Sequence, residues 1–199
     1  MEKNLVSYSF KIGVDERRKS NGHNSFLIFF TGLSGSGKST LANALEEKLY
    51  RNNIKTYVLD GDNIRQGINN NLTFEPKDRS ENLRRIAEIS KLFIDSGVVT
   101  LAAFVAPYKK DREFIRKTVS KENYFEVFVN TSLEVCEQRD VKGLYAKARK
   151  GEIKNMTGIS APYEHPVNPD VEVSHINSIE ESVNIIYDKI KNHLTLKNE

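Results

Sequence analysis

The stretch FLIFFTGLSGSGKSTLANAL, residues 26–45, decides the fold. It opens on five apolar residues with no polar alternation, the pattern of a strand covered on both faces. Gly32, Gly35 and Gly37 then break the run, and Leu41, Ala44, Leu45 and Leu49 return at the spacing of one helical face. Within this strand, loop and helix, Gly32 to Ser39 reads GLSGSGKS and matches G-x-x-x-x-G-K-[ST]. The glycines let backbone N–H groups turn inward around phosphate, and the helix N-terminus adds positive potential. Lys38 is expected to neutralise the β- and γ-phosphates of ATP and Ser39 to ligate Mg²⁺, with Leu33, Ser34, Ser36 and Thr40 completing the nucleotide site.

Working outward, strand-like runs recur at residues 55–60, 98–105, 124–130 and 171–176. Helical stripes lie between and after them: Leu83, Ile86, Ala87 and Ile94 share one face, and Ile179, Val183, Ile186, Tyr187 and Ile190 form the last. Gly97 stands where a helix C-cap belongs. This alternation predicts an α/β fold of the P-loop NTPase type, three layers α/β/α around a mainly parallel five-stranded sheet. Ligands should lie beyond the C-terminal strand ends. Two segments depart from the rhythm. Residues 1–24 are polar and mixed and read as an N-terminal arm, leaving 25–199 as the P-loop domain; residues 142–170 are basic, then rich in Gly and Pro, and read as a lid.

The bulk numbers narrow the partners. A chain of 199 residues suits one domain. With 30 basic against 27 acidic side chains, well interspersed, the net charge of +3 argues against a nucleic acid polymer as partner. The apolar run at 26–30 is far too short for a signal or a membrane span, and the lone Cys136 rules out a disulfide within the chain. A cytoplasmic protein with no membrane partner is expected. The histidines show no metal-ligand spacing. A guanine-reading Asn-Lys-x-Asp is absent, so a small-molecule kinase is favoured over a GTPase.

The segment LDGDNIRQGINNNLTFEPKDRSENLRRI, residues 59–86, supplies the second half of the chemistry. Asp60 and Asp62 lie two apart at a strand end, so an extended backbone would turn both carboxylates the same way. Phosphoryl transfer needs one group for Mg²⁺ and one for the proton of the attacking hydroxyl, and this pair offers both. Arg65, Arg79, Arg84 and Arg85 add guanidinium groups suited to phosphate or sulfate; an Arg on a helix is usually a solvated face, so at most two or three are expected to matter. Phe74 is either a stacking surface for a base or a satellite of the core.

Taken together, GLSGSGKST, LDGDNIRQG, DRSENLRRIAEISKLF, APYKKDR, FEVFVNTSLEVCEQRDVKGLYAKAR and TGISAPYE resemble the adenylylsulfate kinase family over roughly residues 26–165. The resemblance implies transfer of a phosphoryl group from MgATP to the 3′-hydroxyl of adenosine 5′-phosphosulfate, by a homodimeric enzyme. It also implies roles. Asp62 would be the general base and Asp60 the Mg²⁺ support. Arg65, Arg79 and Asn82 would grip the phosphosulfate and ribose, Phe74 would stack on the acceptor adenine, and the backbone at Val105 and Ala106 would line that pocket. Lys142 would open the lid and meet phosphates, and Arg139 would lie beside the ATP adenine.

Two positions depart from the family pattern. KNMTGI places Met156 where a phenylalanine commonly closes an adenine sandwich, and FVAPYKK places Ala106 where a serine is common. Ala106 closes any route through a phosphoserine there, so direct in-line transfer is expected. A catalytically silent binding module or a related P-loop kinase are the alternatives; Lys38, Ser39, Asp60 and Asp62 are all present, which argues against the silent module.

Overall fold

The structure is a computed structural model and describes residue 6 and residues 8–196. In chain order the helices are α1 (Val14–Asn21), α2 (Lys38–Arg51), α3 (Gly61–Gln66), α4 (Pro76–Asp95), α5 (Lys109–Thr118), α6 (Leu133–Arg139), α7 (Leu144–Arg149) and α8 (Ile179–Leu194). The strands are β1 (Leu27–Thr31), β2 (Thr56–Asp60), β3 (Val99–Ala103), β4 (Tyr124–Asn130) and β5 (Val171–Ser174). They form one parallel sheet in the order β2-β3-β1-β4-β5.

The apolar run that opens β1 is explained by its central place, where every residue is buried. Successive side chains point to opposite faces. Ile28 and Phe30 join Leu41, Leu45 and Leu49 of α2 and Val183, Ile186 and Ile190 of α8. Leu27 and Phe29 join Leu83, Ile86 and Ala87 of α4 and Ile115 of α5. The sheet is therefore a middle layer between two helical layers. Each large side chain buried in this way contributes about 1.5–3 kcal/mol.

Register aligns the strand ends. Phe30 pairs with both Ala103 and Val127, Asp60 with Ala103, and Asn130 with Ser174. The C-terminal ends of the strands thus share one edge, where a parallel α/β sheet places its ligands. The 98–105 run is shorter as a strand because residues 104–106 leave the sheet to form a wall of the cavity at that edge. The last run likewise stops at Ser174, since 175–177 turn toward α8.

Part of the segment read as an arm is structured. Helix α1 ends on Gly22 in the left-handed region, and Arg18 fixes it to the domain through Ser25 O (2.6 Å) and Asn123 Oδ1 (3.0 Å). His23, only 1% exposed, accepts the Lys55 N–H at Nε2 (3.0 Å), which leaves Nδ1 as the donor to Asn24 O (2.8 Å). Polar composition conceals this docking, because its anchors are Arg, His and Asn rather than an apolar stripe. Residues 1–5 and 7 of the arm lie outside the described residues.

Candidate active site

A cavity of about 960 Å³ opens at the C-terminal strand edge, between the glycine-rich loop, α3, the start of α4, the 103–107 segment and the lid. The loop forms one end. Gly32 has φ 154° and lies so close to β4 that a Cβ would stand 2.6 Å from Val129 O. Gly37 precedes α2 with φ 106° and offers no side-chain cap, so the first N–H groups of α2 face the cavity unfilled by the protein's own side chain. Donors outside the loop hold its carbonyls: Tyr145 Oη donates to Ser34 O (2.8 Å), Arg139 to Gly35 O (3.2 Å) and Thr131 Oγ1 to Ser36 O (2.9 Å). In a planar trans peptide the N–H points opposite the C=O. The Gly35 and Gly37 N–H groups thereby point away from the donors on Ser34 O and Ser36 O.

Lys38 is buried, and its ammonium donates to Leu33 O (2.6 Å). Burial lowers its pKa to about 8. Bound phosphates favour the charged form and raise that pKa again. Binding of an ATP analogue is therefore expected to take up close to one proton at about pH 9, and almost none at about pH 6.5, where Lys38 is already charged. Calorimetry at each pH in buffers of different ionisation enthalpy measures the uptake; a buffer-independent enthalpy at the higher pH would contradict it.

The two acids do not lie on an extended chain. Asp60 ends β2 as the N-cap of α3, accepting the N–H groups of Asp62 (3.0 Å) and Asn63 (3.4 Å) on Oδ1. Gly61 already begins the helix, so the alternation expected from a strand fails after one residue, and the two carboxylates do separate jobs. Asp60 Oδ2 accepts the Ser39 hydroxyl (2.6 Å), while Asp62 pairs with the Lys142 ammonium. Ser39 and Asp60 are adjacent hard oxygen donors beside the phosphate loop, a set that fits Mg²⁺ held largely by substrate phosphates.

Further charged and aromatic groups stand in and around the same cavity. Arg65 donates to Leu72 O and Thr73 O, and its guanidinium lies 4.4 Å over the Phe74 ring. Phe74 is 64% exposed and so is no satellite of the core. Arg79 donates to Phe74 O (2.7 Å), Thr157 Oγ1 (2.9 Å) and Asn155 O (2.8 Å), tying the first turn of α4 to the lid. Asn82 is buried and accepts from Asn69 (2.9 Å). Arg84 and Arg85 instead pair with Glu81, and Arg85 also donates to Ile68 O, Asn69 Oδ1 and Asn71 Oδ1.

The lid is more ordered than its composition suggests. It contains α7, and its underside (Tyr145, Ala148 and Met156) packs with Cys136, Leu33 and Leu133. Met156 belongs to that apolar group and also lines the cavity. Val105 and Ala106 line it too, with Ala106 at φ 42°.

The family model for adenylylsulphate kinase matches residues 24–174. The chain belongs to the adenylylsulphate kinase family. A probable adenylyl-sulfate kinase of Bacillus subtilis is 51% identical over 190 residues, covering 95% of this chain and 96% of the relative. The solved structure of the Mycobacterium tuberculosis APS kinase CysC in complex with AMPPNP and APS superposes with a TM-score of 0.82 at 45% identity, covering 84% of this chain and 98% of that one. A hexameric APS kinase from Thiobacillus denitrificans gives a TM-score of 0.65 at 27% identity; the match covers 86% of this chain and 30% of that one. The P-loop α/β/α fold and the phosphotransferase class read from the sequence thus stand.

The structure brings the named residues to one cavity, except Gly32 and Leu33, of which Leu33 packs beneath the lid, and Arg84 and Arg85, and it adds others. Ser174, His175, Asn177 and Ile179, at the junction of β5 and α8, line the same space, as does Thr157. None carries a motif: the strand-end rule points to that junction only once β5 is known to pair beside β4. Arg139, expected beside a nucleotide base, is found bonded to the loop carbonyls Gly35 O and Ser36 O.

Proposed function

We propose that the enzyme transfers the γ-phosphoryl group of MgATP to the 3′-hydroxyl of adenosine 5′-phosphosulfate, giving 3′-phosphoadenylylsulfate and ADP. The observation that carries this reading is one cavity lined both by a phosphate loop and by a second set of anion-binding and stacking groups, Arg65, Phe74 and Arg79, with Asp62 between the two sets in the chain. The first set suits the donor and the second a nucleotide-like anion.

Lys38 and the loop amides orient the β- and γ-phosphates. Asp62 accepts the acceptor's 3′-hydroxyl proton as the oxygen–phosphorus bond forms and the bond from the γ-phosphorus to the β,γ-bridging oxygen breaks; ADP carries away that electron pair. Lys142, beside Asp62, meets the phosphate charge that develops there. Ser39 and Asp60 would hold Mg²⁺, which when bound neutralises charge on the donor phosphates. Arg79, Asn82 and the backbone of Val105 and Ala106 would fix the acceptor, with Phe74 against its base and Met156 in the lid opposite. Thioether packing against an aromatic face is favourable, so the exchange of Phe for Met keeps this wall apolar. The roles assigned to Asp60, Asp62 and Lys142 follow from the family resemblance together with these contacts.

We read the enzyme as cytoplasmic and as a homodimer; among the described residues no helix is long and apolar enough to cross a membrane. Sedimentation decides between a dimer and the hexamer of the Thiobacillus protein. A coupled assay of ADP release from MgATP tests the reaction, with AMP and gluconate as control acceptors and Lys38→Ala as blank. Turnover with adenylylsulfate alone, absent in the blank, is expected; turnover on a control acceptor, or none at all, would overturn the assignment.

A further inference from the structure

Ala106 is the least comfortable residue in the cavity wall. It is buried, it is not glycine, and its φ of 42° lies in the left-handed region that residues with a Cβ rarely adopt. Such a conformation persists only where surrounding contacts over-determine it. Thr31 Oγ1 donates to Val105 O (2.7 Å), and Glu164 N donates to Pro107 O (2.8 Å). The carbonyl of Ala106 itself is held by Arg112, on α5.

Arg112 is 4% exposed, and its guanidinium spans three separate parts of the fold. Nη1 donates to Ala106 O (2.8 Å), Nη2 donates to Glu164 O at the far end of the lid (2.7 Å), and Nε stands 3.3 Å from Glu126 Oε1 on β4. Glu126 also accepts the Tyr124 hydroxyl (3.1 Å), and the Glu164 carboxylate accepts the Lys109 N–H (2.6 Å). A planar fork can serve three directions at once; a lysine ammonium at this depth has neither the reach nor the geometry. None of these partners belongs to the phosphate loop.

We propose that Arg112 is a positioning residue for the acceptor half of the site: its guanidinium holds the Ala106 backbone in the left-handed region and ties it to the far end of the lid. Acceptor binding depends on it and nucleotide binding does not. This inference rests on the acceptor reading given above. Arg112 touches no substrate; it acts through Ala106 and Glu164.

The test is a set of steady-state measurements on Arg112→Lys, with KM determined for each substrate. The KM for adenylylsulfate is expected to rise about tenfold, with that for MgATP within about twofold of wild type. Glycine reaches positive φ without support, so adding Ala106→Gly to Arg112→Lys should recover about threefold or more of the lost acceptor KM. Should Arg112→Lys not fold, Arg112→Met with Glu126→Gln removes both buried charges together, which avoids an unpaired one, and the same selective rise is expected. An unchanged acceptor KM would overturn the proposal. So would both KM values rising together with a lower Tm, which marks a purely structural role, or a failure of glycine to rescue. Wild-type enzyme separates the two readings: if it is silent with adenylylsulfate, the acceptor assignment falls and takes Arg112 with it, whereas wild-type turnover with an insensitive Arg112→Lys removes Arg112 alone.

Discussion

Asp62→Asn is expected to lower kcat by about 10²–10⁴-fold while leaving affinity for an ATP analogue within about twofold. Asparagine keeps the size of the side chain and leaves the cap of α3 intact, because that cap belongs to Asp60 and is made to the Asp62 backbone. What is lost is the oxygen able to take a proton, and with it the charge that pairs with Lys142. Both losses act on the acceptor side, so nucleotide binding, which rests on the phosphate loop, stays. Single-turnover rates with saturating MgATP, set beside equilibrium binding of the analogue, separate the two quantities. An unchanged kcat would mean that the transition state is loose enough to need no base, and would leave Asp62 with Lys142 as its sole partner.

Lys38→Ala is expected to cost at least about 10²–10³-fold in kcat, and unlike Asp62→Asn it should weaken nucleotide binding too. The ammonium is the one cationic side chain of the GLSGSGKS motif, and it is buried where charge interacts strongly. Stability should move the other way or not at all. Burial lowers the Lys38 pKa, so the folded state disfavours the charged ammonium at neutral pH, and removing it relieves that cost. The relief is full below about pH 8, fades between there and the unfolded value of about 10.5, and vanishes above it, where lysine is largely neutral in both states. A Tm at neutral pH no lower than wild type, with turnover lost, is the expected pair of results. A collapsed Tm would show that the bond to Leu33 O organises the loop and would reassign part of the kinetic loss to misfolding.

What was legible in the sequence follows the range of the interactions. The phosphate loop is legible because strand, glycines, Lys38 and Ser39 are contiguous, whereas the donors that hold its carbonyls, Thr131, Arg139 and Tyr145, stand far along the chain and are not. The strand order is not legible either, since nothing in FLIFF says which run lies beside it, and so the wall contributed by Ser174 and His175 went unseen. Asp60 and Asp62 were found by type and position, yet their geometry was misjudged: Asp60 caps a helix that starts one residue later, and a cap is decided by the backbone that follows it. Polar anchors hid the docking of α1, and Arg112 gave no signal because its partners stand 6, 14 and 52 positions away in the chain.

The lid and the phosphate loop are not separate pieces of structure. The underside of α7 is built on Leu33, and the Tyr145 hydroxyl rests on the carbonyl of Ser34, so the two segments share an apolar group and a hydrogen bond. Any ligand that stiffens one stiffens the other. In the language of linkage, the affinities of donor and acceptor are then coupled, and by reciprocity each substrate must change the other's dissociation constant by the same factor, whichever arrives first.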